Sequence, residues 1–311
     1  MRRYVVSVFA LLIAMVAGGA GLLSVKYWLL HDVEYSDLLK YQLDKIEHAT
    51  QIDTIFIGDS TLGNSVDARA FDALTGRRSL NLALTGLYGY AGSFNMLRRA
   101  VEQHPVRLVV VVQTLDMMQR PVSYDGFLFT ARIGYLSDVP PQHWLPLAVA
   151  LFTRLTDYSQ LPRLIGSLLR GSQAIPLDPL TDYVAQESPL PRAHFPPHGF
   201  SPDSVNPAKG AFLESTANYC RAKSLVCVYM HGPLWRPLIE KSSGYIDRVN
   251  GIIEEAGLPM AYPVPLDIDE SQVGDGVNHV HPKDKVAFTT RYIGALAPYL
   301  SKAHAADWSR D

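Results

Sequence analysis

Charge of either sign never accumulates in this chain. Lysine and arginine total 28 against 30 acidic residues, a formal charge of −2 over 311 residues. The basic residues are scattered, with no polybasic run, which excludes a nucleic-acid-binding surface and, with an average apolar content, a disordered chain. Cysteine is nearly absent: only Cys220 and Cys227 occur, and that pair alone does not make a metal site. Internal repeats and low-complexity tracts are missing as well. The length suffices to bury a substantial core in one large domain or two small ones.

Proline, by contrast, is plentiful. The chain has 21, gathered between Pro105 and Pro207, which predicts a loop-rich region inserted in a more regular framework. The other abundance is at the start. After Arg2 and Arg3, no charge appears from Tyr4 to Val25. At a rise of about 1.5 Å per residue such a stretch spans the roughly 30 Å hydrocarbon core. The two arginines predict a cytoplasmic N-terminus and an extracytoplasmic or periplasmic main domain, hence a single-pass membrane protein. A cleaved signal peptide is the rival, because Ala17–Gly21 is a run of small residues. Apolar character resumes at Leu22-Leu23 and at Tyr27–Leu30, which favours an uncleaved anchor over residues 1–30. Cys220 and Cys227 fit an oxidising compartment, either as a disulfide or as two buried thiols.

Past the anchor, residues 31–50 carry Leu38, Leu39, Leu43 and Ile46 at helical spacing and read as a connecting helix. The stretch Ile52-Asp53-Thr54-Ile55-Phe56-Ile57 is a buried strand, halted by Gly58-Asp59-Ser60. A helix over 66–75, closed by Gly76, and a strand from Ser79 follow. Next come a helix over 87–104 with Arg98, Arg99 and Glu102 facing outward, and a strand over 107–113. This alternation predicts an α/β fold with a parallel sheet. It is suspended from about 120 to 206, where helical patches near 144–169 sit among loops. It then resumes with a helix over 208–223, a strand over 224–231, a helix over 237–256, a strand over 260–265 and a closing helix over 282–300.

Ser60 stands at the carboxyl end of a predicted strand, where α/β sheets bind ligands. A serine nucleophile needs a base, a group that orients the base, and donors for an oxyanion. Gly274-Asp275-Gly276-Val277-Asn278-His279-Val280-His281-Pro282 offers two histidines and an aspartate just before the last helix. A strand-to-helix turn with an Asx hydrogen bond is the bland reading of Gly58-Asp59. A metal site on His279, His281 and Asp275 is another alternative. His231 and Trp235 are candidates for a cleft wall or for packing. Tyr124, Phe127, Phe129 and Tyr135 of the insertion read as packing.

Asp53–Ser60, Asn81–Gly86 and the Asp…His segment before the last helix, in that order, resemble the SGNH/GDSL hydrolase family. The likeness is nearest to its membrane-anchored members acting on envelope polysaccharides, the alginate O-acetylation and DltD-like D-alanyl-transfer proteins. Their openings and their Asn-His endings are similar to Asp53–Ser60 and Asn278–Pro282 here. The resemblance covers about 52–300 without the insertion. It implies a flavodoxin-like three-layer sandwich with about five parallel strands over residues 51–311. It also implies Ser60 as nucleophile and oxyanion donor and Gly86 as second donor. The base is His279, or His281 as the alternative, oriented by Asp275. Asp275 stands four residues before His279, where the family spaces three. The family's third-block asparagine is missing, and Gln113 or Thr114 stands in its place. No metal or other cofactor is implied. The implied activity is O-acetyl transfer or ester hydrolysis on a glycan, alone or beside a membrane-bound O-acyltransferase. The alternative is a weakly active scaffold or glycan-binding subunit of such a system.

Overall fold

A computed structural model describes residues 2–29, 36–156 and 188–305, together with 158, 162, 165, 166, 169, 177, 178 and 183–186. Five strands form one parallel sheet: β1 (Thr54–Gly58), β2 (Ser79–Ala83), β3 (Leu108–Gln113), β4 (Val226–His231) and β5 (Met260–Tyr262). Their order is β2-β1-β3-β4-β5, which is the doubly wound arrangement whose switch point lies between β1 and β3. β1, β2 and β3 are buried along their whole length, as a sheet covered on both faces requires. Phe56 of β1 meets Phe71 edge-on at 4.9 Å between ring centroids. The fifth strand ends three residues before the predicted Pro265.

Helices cover the sheet. α1 (Arg2–Leu29) and α2 (Ser36–His48) precede it, and α3 (Ser60–Ser65) and α4 (Ala68–Thr75) follow β1. α5 (Gly89–Gln103), α6 (Tyr124–Thr130) and α7 (Trp144–Thr156) lead into and through the insertion. α8 (Gly210–Ala222), α9 (Arg236–Glu240), α10 (Ser243–Glu255) and α11 (Lys285–Ala305) complete the framework. α2, α5, α8 and α10 pack side by side, and α11 packs with α3 and α4. α2 belongs to the domain rather than serving only as a connection. It buries Leu38, Leu39 and Ile46, and its Gln42 and Lys45 side chains donate to the Ala83 and Asn81 carbonyls of β2. Residues 31–35 of the expected connection lie outside the described residues.

The expected helix over 66–75 is α4, which starts at Ala68, and a further short helix, α3, precedes it. Asp67 caps α4 by accepting from the Arg69 and Ala70 amides, and α3 occupies the turn before it. Arg98 differs from its expected outward position: it is buried, with its guanidinium 3.7 Å from the Tyr135 ring centroid. The insertion covers that face of α5, and a sequence pattern cannot foresee a cover supplied from elsewhere. Phe127 and Tyr135 are core residues. His231 and Trp235 are buried too, Trp235 against the edge of Phe195.

α1 runs beside α7, so closely that a Cβ on Gly19 would stand 1.7 Å from the Leu155 carbonyl oxygen. Leu145, Val149 and Phe152 leave α7 largely exposed. Among the described residues no helix is long and apolar enough to cross a membrane. The side chains of 22–30, on which the expected anchor also draws, lie outside the described set. Cys220 and Cys227 form a disulfide with Cα atoms 6.2 Å apart, tying the end of α8 to the start of β4.

Candidate active site

The site begins where β1 stops. Gly58 is required there by proximity: a Cβ would lie 1.7 Å from the Val112 carbonyl oxygen of β3. Asp59 then caps α3, with one carboxylate oxygen accepting from the Thr61 amide at 3.0 Å. Its other oxygen accepts from the Thr114 amide, also at 3.0 Å, at the end of β3. The Asx turn of the bland reading is therefore present, and it presents Ser60 as the first residue of α3. Burial pushes the Asp59 carboxyl up to about 6, against the pull of the Thr114 and Thr61 amides. Asn64 donates to the Ser60 carbonyl at 2.9 Å.

The base arrives on an irregular loop. Gly274 donates to the His279 carbonyl at 2.7 Å, and the His279 amide donates to the Gly276 carbonyl at 2.9 Å. This tight turn folds Asp275 back onto the imidazole, so a spacing of four is accommodated. His279 Nδ1 lies 2.7 Å from Asp275 Oδ1. His279 Nε2 lies 3.0 Å from Ser60 Oγ. The tautomer that satisfies both contacts protonates Nδ1, which donates to the carboxylate, and leaves Nε2 to accept from the serine hydroxyl. Serine, imidazole and carboxylate thus stand in the relay that acyl transfer requires.

Compared with models of known families and with curated proteins, the chain matches none.

The other candidates separate cleanly. His281 turns away to cap the short turn at Pro282–Asp284, accepting from the Lys283 amide at 3.3 Å. Among the described residues no group of three or more His, Cys, Asp or Glu could hold a metal. Gly86 sits in the loop after β2, two residues beyond Leu84, whose amide donates to the Gly58 carbonyl at 3.0 Å. Gln113 is fully buried and donates to Ser93 Oγ at 2.8 Å. Thr114 gives its amide to Asp59, and its hydroxyl accepts from Asn278 Nδ2 at 2.9 Å.

Three residues beyond the sequence reading support the site. Asn278 uses both amide hydrogens, one on Thr114 Oγ1 and one on Thr61 Oγ1, at 2.9 Å each. Gln186, from the insertion, donates to the Val280 carbonyl at 2.7 Å and to Asn64 Oδ1 at 2.9 Å. Arg120 is ion-paired to Asp116 at 2.7 Å and turns Nη1 toward Gly86. Asn278 was visible as the neighbour of His279. Gln186 and Arg120 carried no local signal, because only the folding of the insertion brings them near the loop.

Proposed function

We propose that this protein is a membrane-tethered, SGNH-like serine enzyme working outside the cytoplasm. It performs acyl-ester chemistry, O-acetyl transfer or hydrolysis, on an envelope or exported polysaccharide. The observation that carries the reading is the continuous contact from Ser60 through His279 to Asp275. Ser60 Oγ attacks the acyl carbonyl while its proton passes to His279 Nε2. Asp275 holds Nδ1–H and stabilises the imidazolium. The Ser60 and Gly86 amides receive the oxyanion. His279 then returns the proton to the leaving sugar oxygen, and water or an acceptor hydroxyl takes the acyl group from Ser60. Support for the compartment comes from the disulfide and from the charge-free Tyr4–Val25 stretch of α1. Carbonate extraction of cell membranes tests the tether: release of the chain into the supernatant removes that part of the reading.

The decisive experiment labels the folded, full-length protein with a fluorophosphonate and assays an acetyl ester. Labelling at Ser60, and turnover abolished by Ser60→Ala, is the expected result. A Ser60→Ala protein with full activity overturns the mechanism.

A second reading is favoured by one observation. Gln113 and Thr114 are committed to Ser93, Asp59 and Asn278, so the proposed oxyanion site relies on backbone donors. Loss of one such donor commonly costs about 10²–10³ in turnover. In that reading the chain is a weakly active, glycan-binding subunit beside a membrane-bound O-acyltransferase. Folded protein that resists the fluorophosphonate yet binds glycan would favour it.

A further inference from the structure

α7 is built inside out. Its apolar side chains face outward, and its one charged side chain turns toward the protein. Trp144, Leu145, Ala148, Val149, Leu151 and Phe152 are all exposed, Leu145 by 74 % and Phe152 by 54 %. At about 100° per residue these six fall on one arc of about 160°. The opposite arc holds Leu147, which is buried, and Ala150 and Arg154, which line a cavity shared with the loop after β2 and the start of the insertion. Arg154 donates Nε to Asp125 Oδ1 at 2.6 Å and stacks over Phe129 at 4.4 Å, which fixes that arc inward. The flanking chain adds no charge: lysine, arginine, aspartate and glutamate are absent from Val139 to Thr153. Apolar residues exposed singly need no explanation, but a continuous face marks a contact.

The neighbour of α7 indicates what covers the face. α1 packs against the C-terminal end of α7, where Gly19 presses on the Leu155 carbonyl. Just beyond the helix, Tyr158 donates its hydroxyl to the Met15 carbonyl. The small residues Ala17-Gly18-Gly19-Ala20 let the two backbones approach, as they do between helices in lipid. Met15 and Gly19 stand ten and six residues before Val25, the outer end of the charge-free stretch. With α1 crossing the bilayer as proposed above, their contact with α7 lies about 9–15 Å inside that end. α1 itself exposes Phe9, Leu12 and Ile13. The apolar arc of α7 is thus continuous with the helix read as the anchor, at the depth of one leaflet. Trp144 opens α7 at the end away from this contact, its Nε1 donating to the Val139 carbonyl at 3.1 Å, as suits an indole at a membrane interface.

The geometry points to a second membrane contact: α7 lies in the outer leaflet beside α1, with its 144–152 arc in lipid and its Leu147 and Arg154 side against the domain. This inference rests on the tether of the reading above and not on the acyl chemistry. It gives the insertion a second role. The domain is seated on the bilayer by two elements, where a lone spanning helix would leave it free to turn.

The test puts a maleimide fluorophore on single introduced cysteines in the full-length chain, reconstituted in phosphatidylcholine vesicles. Cys220 and Cys227 are already joined, so only the introduced thiol reacts. Leu145→Cys, Val149→Cys and Phe152→Cys report on α7. Ile13→Cys reports on the tether, and Leu74→Cys, exposed on α4, reports on water. Spin-labelled phosphatidylcholine should quench the three α7 probes at least about twofold more than the Leu74 probe, and aqueous iodide should give the reverse order. Equal quenching at α7 and Leu74, in vesicles that quench the Ile13 probe, overturns the proposal. So do α7 probes shielded from both lipid label and iodide, which would put a second copy on that face. An Ile13 probe that the lipid label does not reach overturns the tether, and the inference with it. Circular dichroism checks each variant, and a photoactivatable phosphatidylcholine applied to the wild-type chain needs no substitution. Its adducts should fall on 144–152 as well as on α1; adducts on α1 alone overturn the proposal.

Discussion

Ser60 and His279 meet at 3.0 Å, yet the two segments that bring them together are built in different ways. The serine turn is made almost entirely by its own neighbours. Asp59 reaches two residues ahead to Thr61 and across one strand to Thr114, and Gly58 is pressed against β3. The histidine loop has little regular structure and is held from outside. Leu190 donates to the Gly274 carbonyl, Trp235 to the Val277 carbonyl and Gln186 to the Val280 carbonyl. Asn278 pins the loop to both strand ends. The proposed nucleophile is thus fixed by local chemistry, whereas the loop of the proposed base is also braced by the insertion through Leu190 and Gln186. The insertion is therefore part of the site and not an ornament on the framework.

The sharpest way to break this comparison is to exchange the two histidines' roles. His279→Ala should lower turnover of an acetyl ester by about 10⁴–10⁶, while His281→Ala should change it less than about threefold, since His281 only caps a turn. The reverse pattern in steady-state assays would overturn the assignment of His279 as the base. Asp275→Asn comes next. It should cost about 10³–10⁴ in kcat, because the amide no longer fixes the tautomer, with KM nearly unchanged.

The buried side of the same edge can be probed through stability. His231 is held well below its usual range, at about 4 against 6.5, because burial penalises its charged form. Between those values the unfolded chain binds a proton that the folded chain refuses. The contribution of His231 to stability is therefore fully present above pH 6.5 and is lost as the pH falls toward 4, by up to about 3 kcal/mol, while the raised Asp59 carboxyl works in the opposite direction below about pH 6. Urea unfolding of wild type and His231→Asn at a series of pH values isolates it: the stability difference between the two should change by about that amount between pH 6.5 and 4. The smallest expected effect tests the outside support of the histidine loop. Gln186→Ala should lower kcat about 10-fold by loosening the imidazole, with little change in Tm. A full rate in that variant would show that Asn278 suffices as the brace.

What could be read from the residues follows the same division. The strand runs Ile55–Ile57 and Val109–Val112 announce a buried parallel sheet through their own composition, and Gly58-Asp59-Ser60 announces the turn. Ser60, Asp275 and His279 were legible because each sits at a punctuated strand or helix boundary. The choice between His279 and His281 was not, since both stand in one extended-looking segment. The turn closed by Gly274 and Gly276 decides which ring faces the serine. The burial of Arg98, the reach of Gln186 and the orientation of Arg120 were illegible for one reason: in each contact one side belongs to an insertion with little periodicity. The turning of Gln113 toward Ser93 likewise depends on where α5 packs. Local pattern predicts elements, and only packing predicts which polar group reaches which neighbour.

The cystine between Cys220 and Cys227 has a practical consequence for cell biology. It fastens α8 to the incoming end of β4, at the opposite margin of the sheet from the serine. Its state can therefore record the chain's surroundings without disturbing the reactive group. Alkylating whole cells before and after reduction would give a mass shift that reports whether the domain has reached an oxidising space. Paired with fluorophosphonate tagging of Ser60, the same molecules would disclose both address and competence.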